Sequence, residues 1–191
     1  MPTPVPSQPD GCLPTPRVDA AYARAYWQQL ATLHGTRVAP KRRSLLMQAA
    51  AVALAVLRVQ SRQQFLDDLV TVIGKTIYVP LDFSQPVSET DAWRFMLLAA
   101  HEHCHVEQAE RDSFLVFALR YLLSPKHRAL YEAEAYATAF TLARQFDRLE
   151  DEVPSILARL QHYGLGAAGM AEAERALVQW HTHPPKLPLV G

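Results

Sequence analysis

The reading turns on residues 91–107, Asp-Ala-Trp-Arg-Phe-Met-Leu-Leu-Ala-Ala-His-Glu-His-Cys-His-Val-Glu. Ser88 and Asp91 stand three apart, the spacing of a capping box, so a helix starts there. From Trp93 to Ala100 the segment is apolar at every position after Arg94. A helix apolar on all faces is central and buried. At its end His101 and His105 lie four apart and differ by roughly 40° around the axis, one turn above the other. Two imidazole nitrogens so placed reach one Zn²⁺ at about 2.0–2.1 Å. Glu102 lies a quarter-turn away, outside the ligand pair but within reach of a metal-bound water, where it serves as general base and then as proton shuttle. Two histidines and a glutamate on a buried helix are costly unless something pairs with them, and a metal ion supplies that pairing.

A catalytic zinc site takes three protein ligands and leaves a fourth position for water. The segment Tyr131-Glu132-Ala133-Glu134-Ala135-Tyr136 offers two carboxylates on a helix expected over Lys126–Glu150, which has no Pro or Gly within it. Periodicity separates the two. Ala129, Glu132, Tyr136, Ala139, Ala143 and Phe146 recur at spacings of three and four, an apolar stripe interrupted by one carboxylate. Glu134 lines up with Thr138, Thr141, Gln145 and Arg148, expected as a polar face turned to water. The expected ligands are therefore His101, His105 and Glu132.

The pair His101-Glu102-x-x-His105 and Glu132-x-x-Ala135 resembles the zincin metallopeptidases. Among them it is similar to the gluzincin-type group, whose second helix carries a Glu-x-x-Ala pattern, as in the ImmA/IrrE-type and Ste24/HtpX-type proteases. The resemblance covers roughly Thr76 to Ala143 and departs from those families at Tyr136 and at His103-Cys104. It implies a strand ahead of the motif helix, a zinc-dependent peptidase acting on a peptide or protein substrate, and Glu132 as the ligand from the second helix.

The rest of the chain is read around this pair. It has 191 residues, enough for one domain with a real core. Lys plus Arg and Asp plus Glu are 19 each. That balance argues against nucleic-acid binding as the main activity. Seven glycines disfavour an all-β fold, and two cysteines cannot form a disulfide framework. Pro2, Pro4, Pro6, Pro9, Pro14 and Pro16 mark residues 1–17 as a Pro-rich tail. Residues 18–180 are expected as the single zincin-like domain and 181–191 as a loose C-terminal tail.

A helix is expected over Val18–His34, with Val18, Tyr22, Tyr26, Leu30 and Leu33 as its apolar stripe. A second is expected over Lys41–Gln60. Its run Leu45–Leu57 is too short for a bilayer and is read as a buried core helix rather than a membrane-contacting one. With no signal segment or disulfide pattern, a cytoplasmic location and no stable membrane span are expected. Val70–Val79, with β-branched residues around Gly74-Lys75, reads as a short hairpin or a single strand, with Pro80 pointing to a sheet edge. An extended substrate is expected to add beside Thr76–Val79, with Thr76 and Tyr78 as contacts. Further helices are expected over Phe114–Leu123, Pro154–Tyr163 and Met170–Trp180. His103 is expected at the surface or paired with Glu107, and Cys104 as a buried thiol. Tyr131, Tyr136, His162, Tyr163, His181 and His183 are open candidates for stabilising a developing oxyanion. The expected fold class is α+β, mostly helical, a minimal zincin-like domain with a small edge hairpin or sheet.

Overall fold

The computed structural model describes residues 17–56, 61–68, 70–80, 88–146, 152–161 and 165–182. The motif helix, α4, runs Glu89–Asp112. Ser88 caps it as its spacing requires: the Ser88 hydroxyl accepts from the Asp91 N–H at 3.1 Å and donates to the Asp91 carboxylate at 2.5 Å. Eight α-helices and three strands make up the described chain. They are α1 (Ala20–His34), β1 (Arg37–Pro40), α2 (Leu45–Val56), α3 (Arg62–Asp68), β2 (Thr71–Ile73), β3 (Thr76–Val79), α4, α5 (Phe114–Leu123), α6 (Pro125–Gln145), α7 (Glu152–Leu160) and α8 (Gly166–Thr182). A 3₁₀ turn, Lys41–Arg43, joins β1 to α2. The fold is mostly helical α+β.

The hairpin forms where the sequence places it. Gly74, at φ +56°, turns β2 into β3, and Thr71 pairs antiparallel with Tyr78. A positive φ of this kind is what glycine tolerates without strain. β3 is not an edge, however. The sheet order is β1-β3-β2, with β1 parallel to β3 and Arg37 opposite Thr76. The expected edge position is thus corrected: Pro80 follows the strand without exposing its flank. β1 was not read from the sequence, because four residues after a helix carry no period, and α2 and α3 supply the crossover that a parallel pair needs.

All four β3 residues are buried, and its alternation distributes them between two faces. Ile77 and Val79 pack with Val18, Tyr26 and Leu30 of the α1 region and with Ala92, Phe95, Met96 and Ala99 of α4. Tyr78 packs on the other face against Met47 and Ala51 of α2 and Phe65 and Leu66 of α3. On the far side of α4 lies α6, which packs Ala129, Ala133 and Phe140 against α7 and α8. Gly169 is the close-approach point: a Cβ there would lie 3.0 Å from Leu165 Cβ and 3.9 Å from Ala129 Cβ. The motif helix is therefore held between α1 with the sheet on one side and α6 on the other.

Three expectations about faces are corrected. First, α2 is not a buried core helix. Met47 and Ala51 pack inward, while Leu45, Leu46, Val52 and Val56 are exposed, because the helix covers only one outer face of a three-strand sheet. Second, Leu33 of the α1 stripe is exposed. Third, the line on α6 through Thr138 and Thr141 does not face water. Both are buried, their hydroxyls donating to the carbonyls of Ala135 at 2.6 Å and Ala137 at 3.0 Å. Because α6 is flanked by α4 and α8, threonine serves there by satisfying its hydroxyl within its own helix. The Pro-rich tail, the segment 183–191 and Cys12 lie outside the described residues, whereas His181 and Thr182 belong to α8.

Candidate metal centre

α4 and α6 bring His101, His105 and Glu132 together. All three are buried, and one ligand-type atom from each lies within 4.8 Å of the others. His101 Nε2 is 3.5 Å from Glu132 Oε2, and His105 Nε2 is 3.5 Å from Glu132 Oε1. The two imidazole rings stand perpendicular, centroids 4.8 Å apart, as expected for side chains one turn apart aimed at a common point.

The site is asymmetric around the carboxylate. Glu132 Oε1 accepts from the Tyr121 hydroxyl at 2.5 Å, whereas Oε2 is buried and has no hydrogen-bond partner among the described residues. A buried carboxylate oxygen without a donor is costly. A cation held by His101, His105 and Glu132 would remove that cost, and this donor set, two imidazoles and a carboxylate, fits a zinc ion.

The charges are coupled. Burial pushes the Glu132 carboxyl up, but His105 and His101 outweigh it and hold the group well below the usual carboxylate range. Burial pulls His105 down, and the Glu132 charge overcomes it, raising the imidazole to about 9. Glu102 is buried beside the ligand pair. Its carboxyl is raised, chiefly by burial, with His101 and His105 opposing. A glutamate moved toward neutral pH is suited to accepting and returning a proton.

Sequence reasoning missed three residues here. Tyr121 reads as one more apolar position of α5, and only the fold turns it and Phe117 onto His105, at ring separations of 6.1 Å each. Gln108 is fully buried, accepting from His105 Nδ1 at 2.8 Å. Its one signal is its place one turn after His105. Lys41, which heads the basic run Lys41-Arg42-Arg43, is buried, its ammonium donating to the Phe65 carbonyl at 2.7 Å and lying 3.5 Å over the Phe65 ring. Burial lowers it to about 8, with Glu102 opposing.

Other expected residues fall as follows. His103 is neither at the surface nor paired with Glu107. It is buried, donating from Nδ1 to the Ala99 carbonyl at 2.8 Å and accepting at Nε2 from the Thr36 hydroxyl at 3.0 Å. Glu107 lies near His34 instead, at 3.6 Å. Cys104 is a buried thiol, as expected. Tyr136 stacks edge-on against His101 at 4.6 Å, while the Tyr131 hydroxyl donates to Asp112 at 2.5 Å and is directed away from the ligands. His162, Tyr163, His183 and the His181 side chain lie outside the described residues. Thr76 accepts from Arg37 Nε at 2.9 Å, and the β3 backbone from Thr76 to Tyr78 is paired on both sides, so no strand can add there. No described helix is long and apolar enough to cross a membrane. Comparisons of the chain with protein-family models, curated proteins and solved structures find no match.

Proposed function

We propose that this protein is a zinc-dependent metallopeptidase of zincin type, with His101, His105 and Glu132 holding the metal and Glu102 as general base. The observation that carries the reading is the buried Glu132 carboxylate set between two histidines one turn apart, with one oxygen left without a donor. A bound zinc ion supplies Lewis-acid polarisation at that point. Glu102, whose carboxylate burial makes more basic than an exposed one, would take the proton of the attacking water and return it to the leaving amine. Tyr121 holds one oxygen of Glu132 and so orients the ligand. An extended peptide that pairs with the sheet does so at the outer flank of β1 or β2, since both flanks of β3 are taken.

Elemental analysis of the purified chain is expected to find about one zinc, and Glu132→Ala to lose it. Glu102→Gln is expected to retain zinc and lose peptide cleavage, because glutamine keeps the shape and lacks the basicity. A metal-free chain whose stability is unchanged by chelator overturns the reading. A second reading, a metal-bound regulatory module without turnover, is favoured by the burial of all four site residues. It prevails if a zinc-loaded wild type and Glu102→Gln behave alike on every candidate partner.

A further inference from the structure

The geometry points to Gln108 as the positioning residue that holds His105 in the tautomer able to bind a metal through Nε2, with Glu134 and Arg111 locking Gln108 in its own orientation. The inference rests on the metal reading above and goes beyond it, since none of these three side chains is a ligand. Gln108 sits on α4 one turn after His105 and is fully buried. A primary amide has two unlike ends, and their partners decide which is which. One end lies 2.9 Å from the Tyr131 carbonyl oxygen and 3.0 Å from Glu134 Oε2. Both partners only accept, so that end is the NH₂, with both its hydrogens engaged. The other end, Oε1, then faces His105 Nδ1 at 2.8 Å. An oxygen there requires a proton on Nδ1.

A metal-bound imidazole is neutral and carries one proton, so with Nδ1 protonated it is Nε2 that is left bare for the metal. Nε2 is the nitrogen that faces Glu132. The opposite Gln108 orientation would set its oxygen against a carbonyl and a carboxylate and its NH₂ against the imidazole N–H. Arg111 prevents the carboxylate from drifting: its NH1 and NH2 donate to Glu134 Oε1 and Oε2 at 2.7 and 3.0 Å. Such paired guanidinium–carboxylate contacts fix geometry as well as charge. His105, Gln108 and Arg111 thus descend one side of α4 at three-residue steps, and Glu134 of α6 closes the chain. Glu134 stands two residues from a metal ligand and acts on the same site from outside it.

The test uses the full-length chain, with zinc affinity measured by competition against a chromophoric chelator. Histidine ring ¹H–¹⁵N spectra of the zinc-loaded protein give the tautomer directly. Wild type is expected to show a protonated, slowly exchanging His105 Nδ1. Gln108→Met is expected to bind zinc about 10- to 100-fold more weakly and to lose that slow exchange, with helical circular dichroism retained. Glu134→Ala, at a partly exposed position, is expected to shift affinity in the same direction by a smaller factor, and it carries the test if Gln108→Met fails to fold. A wild type that coordinates through His105 Nδ1 overturns the inference, as does a folded variant of either residue with wild-type affinity and exchange. A wild type that binds no zinc overturns the metal reading itself, so the two failures are distinct.

Discussion

At the scale of single residues, the chemistry of this chain is set by polar groups placed where water cannot reach them. His103 shows the effect apart from the ligand set. Desolvation holds its imidazole down at about 4, with the Ala99 carbonyl opposing. The unfolded group has a pKa near 6.5. Between these values the unfolded chain binds a proton that the folded chain excludes, so stability rises with pH across this window and is lost as pH falls from about 6.5 to 4. The contribution is on the order of 3 kcal/mol at neutral pH. Urea titrations in chelator at pH 4.5 and 6.5 are expected to show a smaller stability difference for His103→Gln than for wild type. Parallel pH profiles for the two proteins would show that His103 titrates alike in both states.

At the scale of elements, the joint between α4 and α5 concentrates the strain. Ser113 has φ 66° and ψ 142° and is the one described non-glycine residue with positive φ. It precedes α5 without capping it through its side chain. A residue with a Cβ is disfavoured there, and the Ser113 side chain makes no capping hydrogen bond to offset the cost. Ser113→Gly is expected to stabilise the protein by about 1 kcal/mol, read as a melting temperature higher by about 2–4 °C. A lower melting temperature would place a compensating contact at the serine hydroxyl. The same joint turns Phe117 and Tyr121 onto His105 of the candidate metal centre, while Leu115, Leu119, Leu122 and Leu123 face outward. At the end of α5, Arg128 donates to the Tyr121 and Leu122 carbonyls, which satisfies groups the helix leaves open and holds Tyr121 in place.

At the scale of the whole molecule, the site is a cross-link between two halves of the core. His101 and His105 belong to the helix that packs on α1 and the sheet, and Glu132 to the helix that packs on α7 and α8. A metal bound by all three is a ligand of the folded state alone. At free zinc about a thousandfold above Kd it adds about 4 kcal/mol, which for a chain of this length is a melting shift of roughly 10 °C. Calorimetry with zinc and with chelator is expected to show that shift in wild type and to show none in Glu132→Ala. An equal shift in both proteins would move the binding site elsewhere.

What the sequence determined by itself are the features with a short period. The cap at Ser88, the hairpin at Gly74, the bounds of α5, the two histidines one turn apart and the inward placement of Glu132 all follow from contacts within a few residues or from one helix's own repeat. Tertiary structure alone decided which faces are covered. Thr138 and Thr141 are buried because α8 lies against α6, and α2 is open to solvent because nothing described packs over it. β3 became the central strand because a four-residue segment 39 positions earlier pairs with it. The same reason hid Gln108, Tyr121 and Glu134 as parts of the site. Each is ordinary in its own helix, and its role depends on a partner brought near by packing between helices, which no local pattern records.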